Sequence, residues 1–264
     1  MFPIKSRLYI ASSLLLFSGL LLSGIFPASV HSRTKVVYVP PKSLGAPIST
    51  RPALVRGKCN EANKAECVKI IMPGNYPPEV KSSLDYYPQT ISEHPIFFFS
   101  APKVEGKLGF KLYEESDAVR KMPHNMVFRT ATPIATDAPG IISFRLPSNA
   151  PVLKVGKYYT WEFFLDEPDV KYKCQGSVVR ISLTPAMLSQ LKRAQPMERA
   201  AIYAKAGIWF ETVETLAEAR SAQPNDPEIK AEWVELLKSV KLDNISQLSW
   251  GNTSKTKYSE SHSD

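Results

Sequence analysis

The side chains with the types to do chemistry are few, and their spacing argues against catalysis. The turn Asp166-Glu167-Pro168-Asp169 could bring two carboxylates near each other, as hydrolases and calcium sites require. It lacks the regular ligand spacing and glycine of a calcium loop, so it reads as a solvated hairpin tip with Pro168 in a turn position. His94, before Pro95 at a strand start, is a base without a sequence partner, and His124 lies in the connection MPHN. Glu114, Glu115 and Asp117 end a strand and read as a solvated turn. His31, His94, His124 and His262 are scattered singly, whereas a metal site needs clustered ligands. No G-x-S-x-G elbow, H-E-x-x-H, G-x-G-x-x-G or P-loop occurs. The expectation is a protein that is not an enzyme and uses no metal or cofactor.

The first residues give an address. Lys5 and Arg7 precede an apolar run from Leu8 to Phe26, and Val30-His31-Ser32 offers a site for a signal-peptidase cut. Residues 1–32 are therefore read as a signal peptide or, because the run is long enough to span a bilayer, an uncleaved N-terminal anchor. Either way the chain is expected to be exported, to the periplasm or beyond the cell. In such an oxidising compartment Cys59, Cys67 and Cys174 suggest one disulfide and one free thiol. A Cys59–Cys67 ring would rigidify a short segment, whereas joining either to Cys174 would pin the start of the domain to its last strand; the sequence leaves both open.

The net charge of +8 is local. Residues 1–58 carry eight Lys or Arg and no acid, which leaves 25 basic against 25 acidic residues in the rest. Residues 33–65 read as a basic, Pro-punctuated, disordered tether, either a solvated spacer or a weak contact to an anionic surface. No folded element carries a basic stripe with interleaved aromatics, so nucleic acid is not an expected partner.

Residues 66–183 show an apolar period of two. In GIISFRLP, Ile142, Phe144 and Leu146 share one face and Ser143 and Arg145 the other; LGFKLY repeats the pattern with Leu108, Phe110 and Leu112, and GSVVRISL with Val179, Ile181 and Leu183. With VKIIMP, PIFFFSAP, NMVFRTAT and KYYTWEFFL, about seven strands separated by Pro, Gly and Asp turns predict a β-sandwich of immunoglobulin-like size. Two strands break the alternation. Phe97 and Phe99 oppose Ile96 and Phe98, and Tyr158 and Phe164 lie on the side of KYYTWEFFL that should be wet.

Residues 184–245 read as helices. Thr184-Pro185 and Asp226-Pro227 are N-cap signatures, Gly207 breaks the second helix from the third, and Ile229, Trp233, Leu236, Leu237 and Val240 form a helical stripe. Gly207, Trp209, Val213, Leu216, Ala219 and Pro224 have the mutual spacing of one tetratricopeptide-like hairpin, although Thr212 stands where that repeat prefers Ala. A single hairpin cannot build a superhelix, so the helices are expected to act as a lid. In that arrangement Trp209, Leu216, Trp233 and Leu237 cover the aromatics Phe97, Phe99, Tyr158 and Phe164. The polar tail, residues 246–264, is expected to be disordered.

Taken together, TISEHPIFFFSAP, PGIISFRLP, LKVGKYYTWEF, ERAAIYAKAGIWFETVETLAEAR and WVELLKSVKL resemble a family of exported cyanobacterial proteins grouped as domain of unknown function 928. The resemblance covers about residues 66–243 and implies a cell-envelope or extracellular location; it supplies no catalytic residues. It also implies a Cys just after the aromatic strand, a place held here by Asp166, with Cys174 eight residues later. The functional expectation is a noncatalytic envelope module that binds an envelope protein or serves as a scaffold. The alternative is polysaccharide binding by exposed Tyr158, Phe164 or Trp250.

Overall fold

The computed structural model describes residues 34–41, 68–73, 87–103, 105–115, 125–136, 138–166 and 171–250. Residues 1–32, most of the tether and residues 251–264 lie outside these, and with them Cys59, Cys67, His124, Asp117 and Glu167 to Asp169.

Eight strands form two sheets. In chain order they are β1 (Lys69–Ile70), β2 (Gln89–Thr90), β3 (Ile96–Ala101), β4 (Glu105–Glu114), β5 (Asn125–Ala135), β6 (Gly140–Arg145), β7 (Tyr158–Asp166) and β8 (Lys171–Arg180). A three-stranded sheet has the order β1-β3-β6 and a five-stranded sheet the order β2-β8-β7-β4-β5. All pairs are antiparallel except β2 with β8. The strand beyond the seven read from sequence is β2, whose two residues are too few to show any period.

The sheets face each other across an aromatic core. Phe97 of β3 meets Phe110 and Trp161 at 5.3 Å, and Phe144 of β6 meets Phe110 at 4.8 Å. Phe110 meets Phe163 at 4.7 Å and Phe99 meets Phe163 at 5.2 Å. Offset and edge-on ring pairs of this kind add to the gain from burial. The pairing of β3 with β6 puts Phe97 opposite Phe144 and Phe99 opposite Ile142. Trp161 lies across from Gly176, where a Cβ would strike its ring at 2.3 Å, so the glycine makes room for the largest core side chain.

Two expectations of facing change here. Phe97 and Phe99 point between the sheets, and it is Phe98 that faces outward, because the register with β6 ties the odd positions to Ile142 and Phe144. On β8 the core-facing residues are Cys174, Gly176 and Val178; Val179 lies across from Gln89 of β2 and is buried on the other side. The strand ends at Arg180, before Ile181 and Leu183.

Four helices follow: α1 (Pro185–Arg193), α2 (Pro196–Lys205), α3 (Trp209–Ala222) and α4 (Pro227–Ser239), with a 3₁₀ turn at Asp243–Ile245. The cap signatures do what their chemistry allows. Thr184 accepts from the Met187 amide at 3.3 Å, and Asp226 Oδ1 accepts from the Glu228 and Ile229 amides at 2.8 and 3.0 Å. Gly207 ends α2 at φ 76°, a conformation that suits glycine. Helix α1 buries none of its residues, whereas Trp209, Leu216, Trp233 and Leu237 of α3 and α4 are all buried.

Candidate functional site

The helices reach the sheets through three consecutive residues at the start of α3. The Trp209 indole Nε1 donates to the Ile71 carbonyl, just past β1, at 3.0 Å. Phe210 meets Phe97 edge-on at 5.4 Å. Glu211 Oε1 accepts from Thr90 Oγ1 at 2.6 Å and from the Ile91 and Ser92 amides at 3.0 and 3.1 Å, at the end of β2. One residue triplet thus grips both sheets. Burial pushes the Glu211 carboxyl above its ordinary range, against the opposing pull of its bonds from Thr90, Ile91 and Ser92. Its Oε2 is buried without a hydrogen-bond partner.

A second junction covers the outside of the three-stranded sheet. Phe98 meets Trp250 at 5.9 Å, Trp250 meets Trp233 at 5.3 Å, and the Ile141 amide donates to the Ser249 carbonyl at 2.9 Å. Arg220 lies over both indoles, 5.5 Å from the Trp233 ring and 5.8 Å from that of Trp250, and donates to the Leu248 carbonyl at 3.3 Å. Burial lowers its pKa. The tail expectation is therefore corrected at its start: Ser246 is buried and Leu248 and Trp250 are half-buried, because Trp250 has an apolar partner on each side.

The tether expectation is corrected as well. Residues 34–41 lie against the helices, with Val36 and Tyr38 buried and Val37 and Val39 exposed. VVYV is apolar at every position; Val36 and Tyr38 take the covered side, and α2 to α4 supply the cover.

The outer face of the five-stranded sheet is different. Phe164 lies across from Gly109, and its ring occupies the space that a Cβ there would need. Lys111 Nζ is 5.4 Å from the centre of that ring. Lys111 stands between Arg129 on β5 and Glu162 on β7, so two like charges are direct cross-strand neighbours. Tyr113 donates to Glu162 at 3.4 Å. Tyr158 packs against Tyr87 at 4.5 Å. Phe164 and Tyr158 are thus settled by neighbours within the sheet region, and not by the helices. At the rim of this sheet β5 is paired with β4 alone among the described strands, and its Met126, Arg129, Ala131 and Pro133 are exposed.

The remaining candidates have structural partners. Glu115 is buried and accepts from Tyr87 at 2.7 Å and Thr160 at 2.8 Å, while Glu114 accepts from Lys154 at 3.2 Å and Tyr159 at 3.4 Å. His94 Nε2 is 3.1 Å from the Ala150 carbonyl. Cys174 is a free thiol in the core, its pKa pushed up to about 12 by burial, and both of its expected partners, Cys59 and Cys67, lie outside the described residues. A Cys59–Cys67 ring lies outside the described residues. Among the described residues no three His, Cys, Asp or Glu side chains converge as metal ligands, and no helix is long and apolar enough to cross a membrane. A crevice between α3 and β3, lined by Ile71, Phe98, Trp209 and Val213, is too narrow for a ligand.

Glu211, Lys111 and Arg220 were not singled out by sequence. The only signal for Glu211 was its place after two consecutive aromatics, Trp209 and Phe210, where a helix start must meet other elements. No curated protein matches the chain. The pattern of the family described as Domain of Unknown Function (DUF928) matches residues 49–249, a stretch that takes in both sheets and all four helices, and the chain belongs to that family.

Proposed function

We propose that this is a noncatalytic, exported cell-envelope protein that holds another protein through the open edge of β5. The observation that carries the reading is that edge: an eleven-residue strand with one neighbour among the described strands and a single charge, Arg129. Apart from Pro133, which has no N–H, such an edge offers main-chain donors and acceptors to an extended segment of a partner. Export rests on the apolar run behind Lys5 and Arg7, and the basic residues of the tether, 33–65, add a weak contact to anionic surfaces. We read the two sheets as immunoglobulin-like. The α2–α3 pair is read as a tetratricopeptide-like hairpin, supported by Gly207 at positive φ and by buried Trp209, Val213, Leu216 and Ala219.

The test is to place Lys at Met126 and Ala131, exposed positions of β5, and compare what wild type and variant retain from envelope extracts. Loss of defined partners by a folded variant is expected; unchanged retention would remove β5 from consideration. Finding the mature protein in the cytosol would remove the envelope. A second reading, binding of an acidic polysaccharide, is favoured by the Phe164 ring beside Lys111 and Arg129. It predicts that Phe164→Ala weakens retention on acidic but not on neutral glycans.

A further inference from the structure

The segment 34–41 is held as a bound peptide is held. Its Val36 amide donates to Glu232 Oε2 of α4 at 2.8 Å, and its Val39 amide donates to the Ala204 carbonyl near the end of α2 at 3.0 Å. Tyr38 donates to the Gly207 carbonyl at 3.3 Å and sets its ring edge-on against Trp209 at 4.8 Å. Val36 is 2% and Tyr38 7% exposed. The groove is shaped for this close approach: a Cβ on Gly207 would come within 2.7 Å of Pro41 and 3.0 Å of the Val39 carbonyl oxygen.

Two further facts separate the segment from the groove. The family match spans residues 49–249, which includes the groove, and the segment 34–41 lies before the matched stretch. The connection from Pro41 to Val68 comprises residues 42–67, yet Tyr38, three residues before Pro41, and Ile71, three residues after Val68, both contact Trp209. A link of that length extends up to about 90 Å. It is far longer than joining those two points requires, and long enough to reach a groove on a neighbouring molecule.

We propose that the groove over α2, the start of α3 and α4 is a site for an extended peptide with buried residues at alternate positions, and that residues 34–41 of a second copy can fill it in place of the chain's own. This goes beyond the β5 reading and does not depend on it. The chain's own segment competes at an effective concentration on the order of millimolar, so exchange belongs to crowded surfaces and dilute protein is monomeric.

The experiment uses full-length chains. An acceptor carries Val36→Ser and Tyr38→Ala, which empties the groove, and a donor carries Gly207→Val, which obstructs it. Each is expected to be monomeric alone and the equimolar mixture to form a one-to-one complex by analytical ultracentrifugation. A labelled peptide of residues 33–43 should bind the acceptor at least about tenfold tighter than it binds wild type. A folded acceptor that takes up neither donor nor peptide overturns the proposal. If the acceptor does not fold, wild type titrated with the peptide to millimolar decides: saturable change in Trp fluorescence is expected, and a response no greater than to the peptide with Ala at positions 36 and 38 overturns it. The β5 lysine variant should exchange normally, which separates failure here from failure of the edge reading.

Discussion

The two sheets solve the same problem in opposite ways. Each has a strand whose outward side carries large apolar residues: Phe98 on β3, Tyr158 and Phe164 on β7. On the three-stranded sheet the cover comes from far along the chain, as Trp250 backed by Trp233. On the five-stranded sheet it is local, a glycine across the strand beneath Phe164 and a tyrosine beside Tyr158. A break in alternation therefore does not imply a lid. It implies a partner, and a missing Cβ on the neighbouring strand is partner enough for one ring.

If the helices and sheets are one cooperative body, the largest effect belongs to the residue that joins them. Trp209→Ala removes a buried indole that touches Tyr38 and bonds to Ile71, and should cost about 3–5 kcal/mol. Far-ultraviolet signals of strands and helices should still fall in one thermal transition; separate melting of the helices would break the comparison.

Glu211→Ala comes next. It strips an acceptor from Thr90 Oγ1 and from the Ile91 and Ser92 amides, with a cost of about 1–3 kcal/mol for the buried donors left behind. Its titration adds a sharper test. Because burial raises the folded pKa above the unfolded value, the folded state holds this proton more tightly. The favourable contribution is complete below the unfolded carboxyl range and is lost as pH rises through the folded pKa. Melting curves from pH 4 to 8 should show wild type losing more stability across that window than Glu211→Gln. Parallel profiles would mean that the carboxylate is not burdened by burial.

Much of this was legible in the sequence, for stated reasons. Period-two alternation and the turn residues between apolar runs located seven strands, and Thr184-Pro185, Gly207 and Asp226-Pro227 marked the helix boundaries, because caps act within a few residues. What failed was facing where both sides are apolar. In IFFFSA either parity fits, and only the pairing of Phe97 with Phe144 decides; GIISFRLP had already declared its own core side, so the register carried the missing information. The candidate surfaces were less legible. Lys111 beside Arg129 depends on the registry of two strands, and the docking of 34–41 on a groove made some 160 to 200 residues later. A charged, Pro-rich composition hid the short apolar run VVYV.

The local solution on the five-stranded sheet can be broken from beneath. Gly109→Val puts branched carbons where the Phe164 ring lies, and the ring must leave the sheet or the strands must part. Overpacking of this kind costs about 1–3 kcal/mol. The penalty should shrink when Phe164→Ala is combined with it, since the second change removes the clash. Additive costs in that double-mutant cycle would show that Gly109 serves some other need.

The smallest effect on stability, and the most informative about the surface, should come from Lys111→Ala. Losing the cation beside the Phe164 ring removes an attraction of about 0.5–1 kcal/mol at an exposed site. The same change relieves the repulsion of Lys111 by Arg129 on β5 and gives up its attraction to Glu162 on β7, so the terms oppose each other. The net change should fall within about 0.5 kcal/mol. A pair of like charges held side by side gains most from an anion that meets both, so an acidic polysaccharide should bind the wild-type face better than the variant at low salt. The advantage should vanish near 1 M salt, where exposed charges are screened within about 3 Å. Equal retention of wild type and variant at low salt would leave Lys111 and Arg129 as ordinary solvated residues and the open edge of β5 as the contact surface of this sheet.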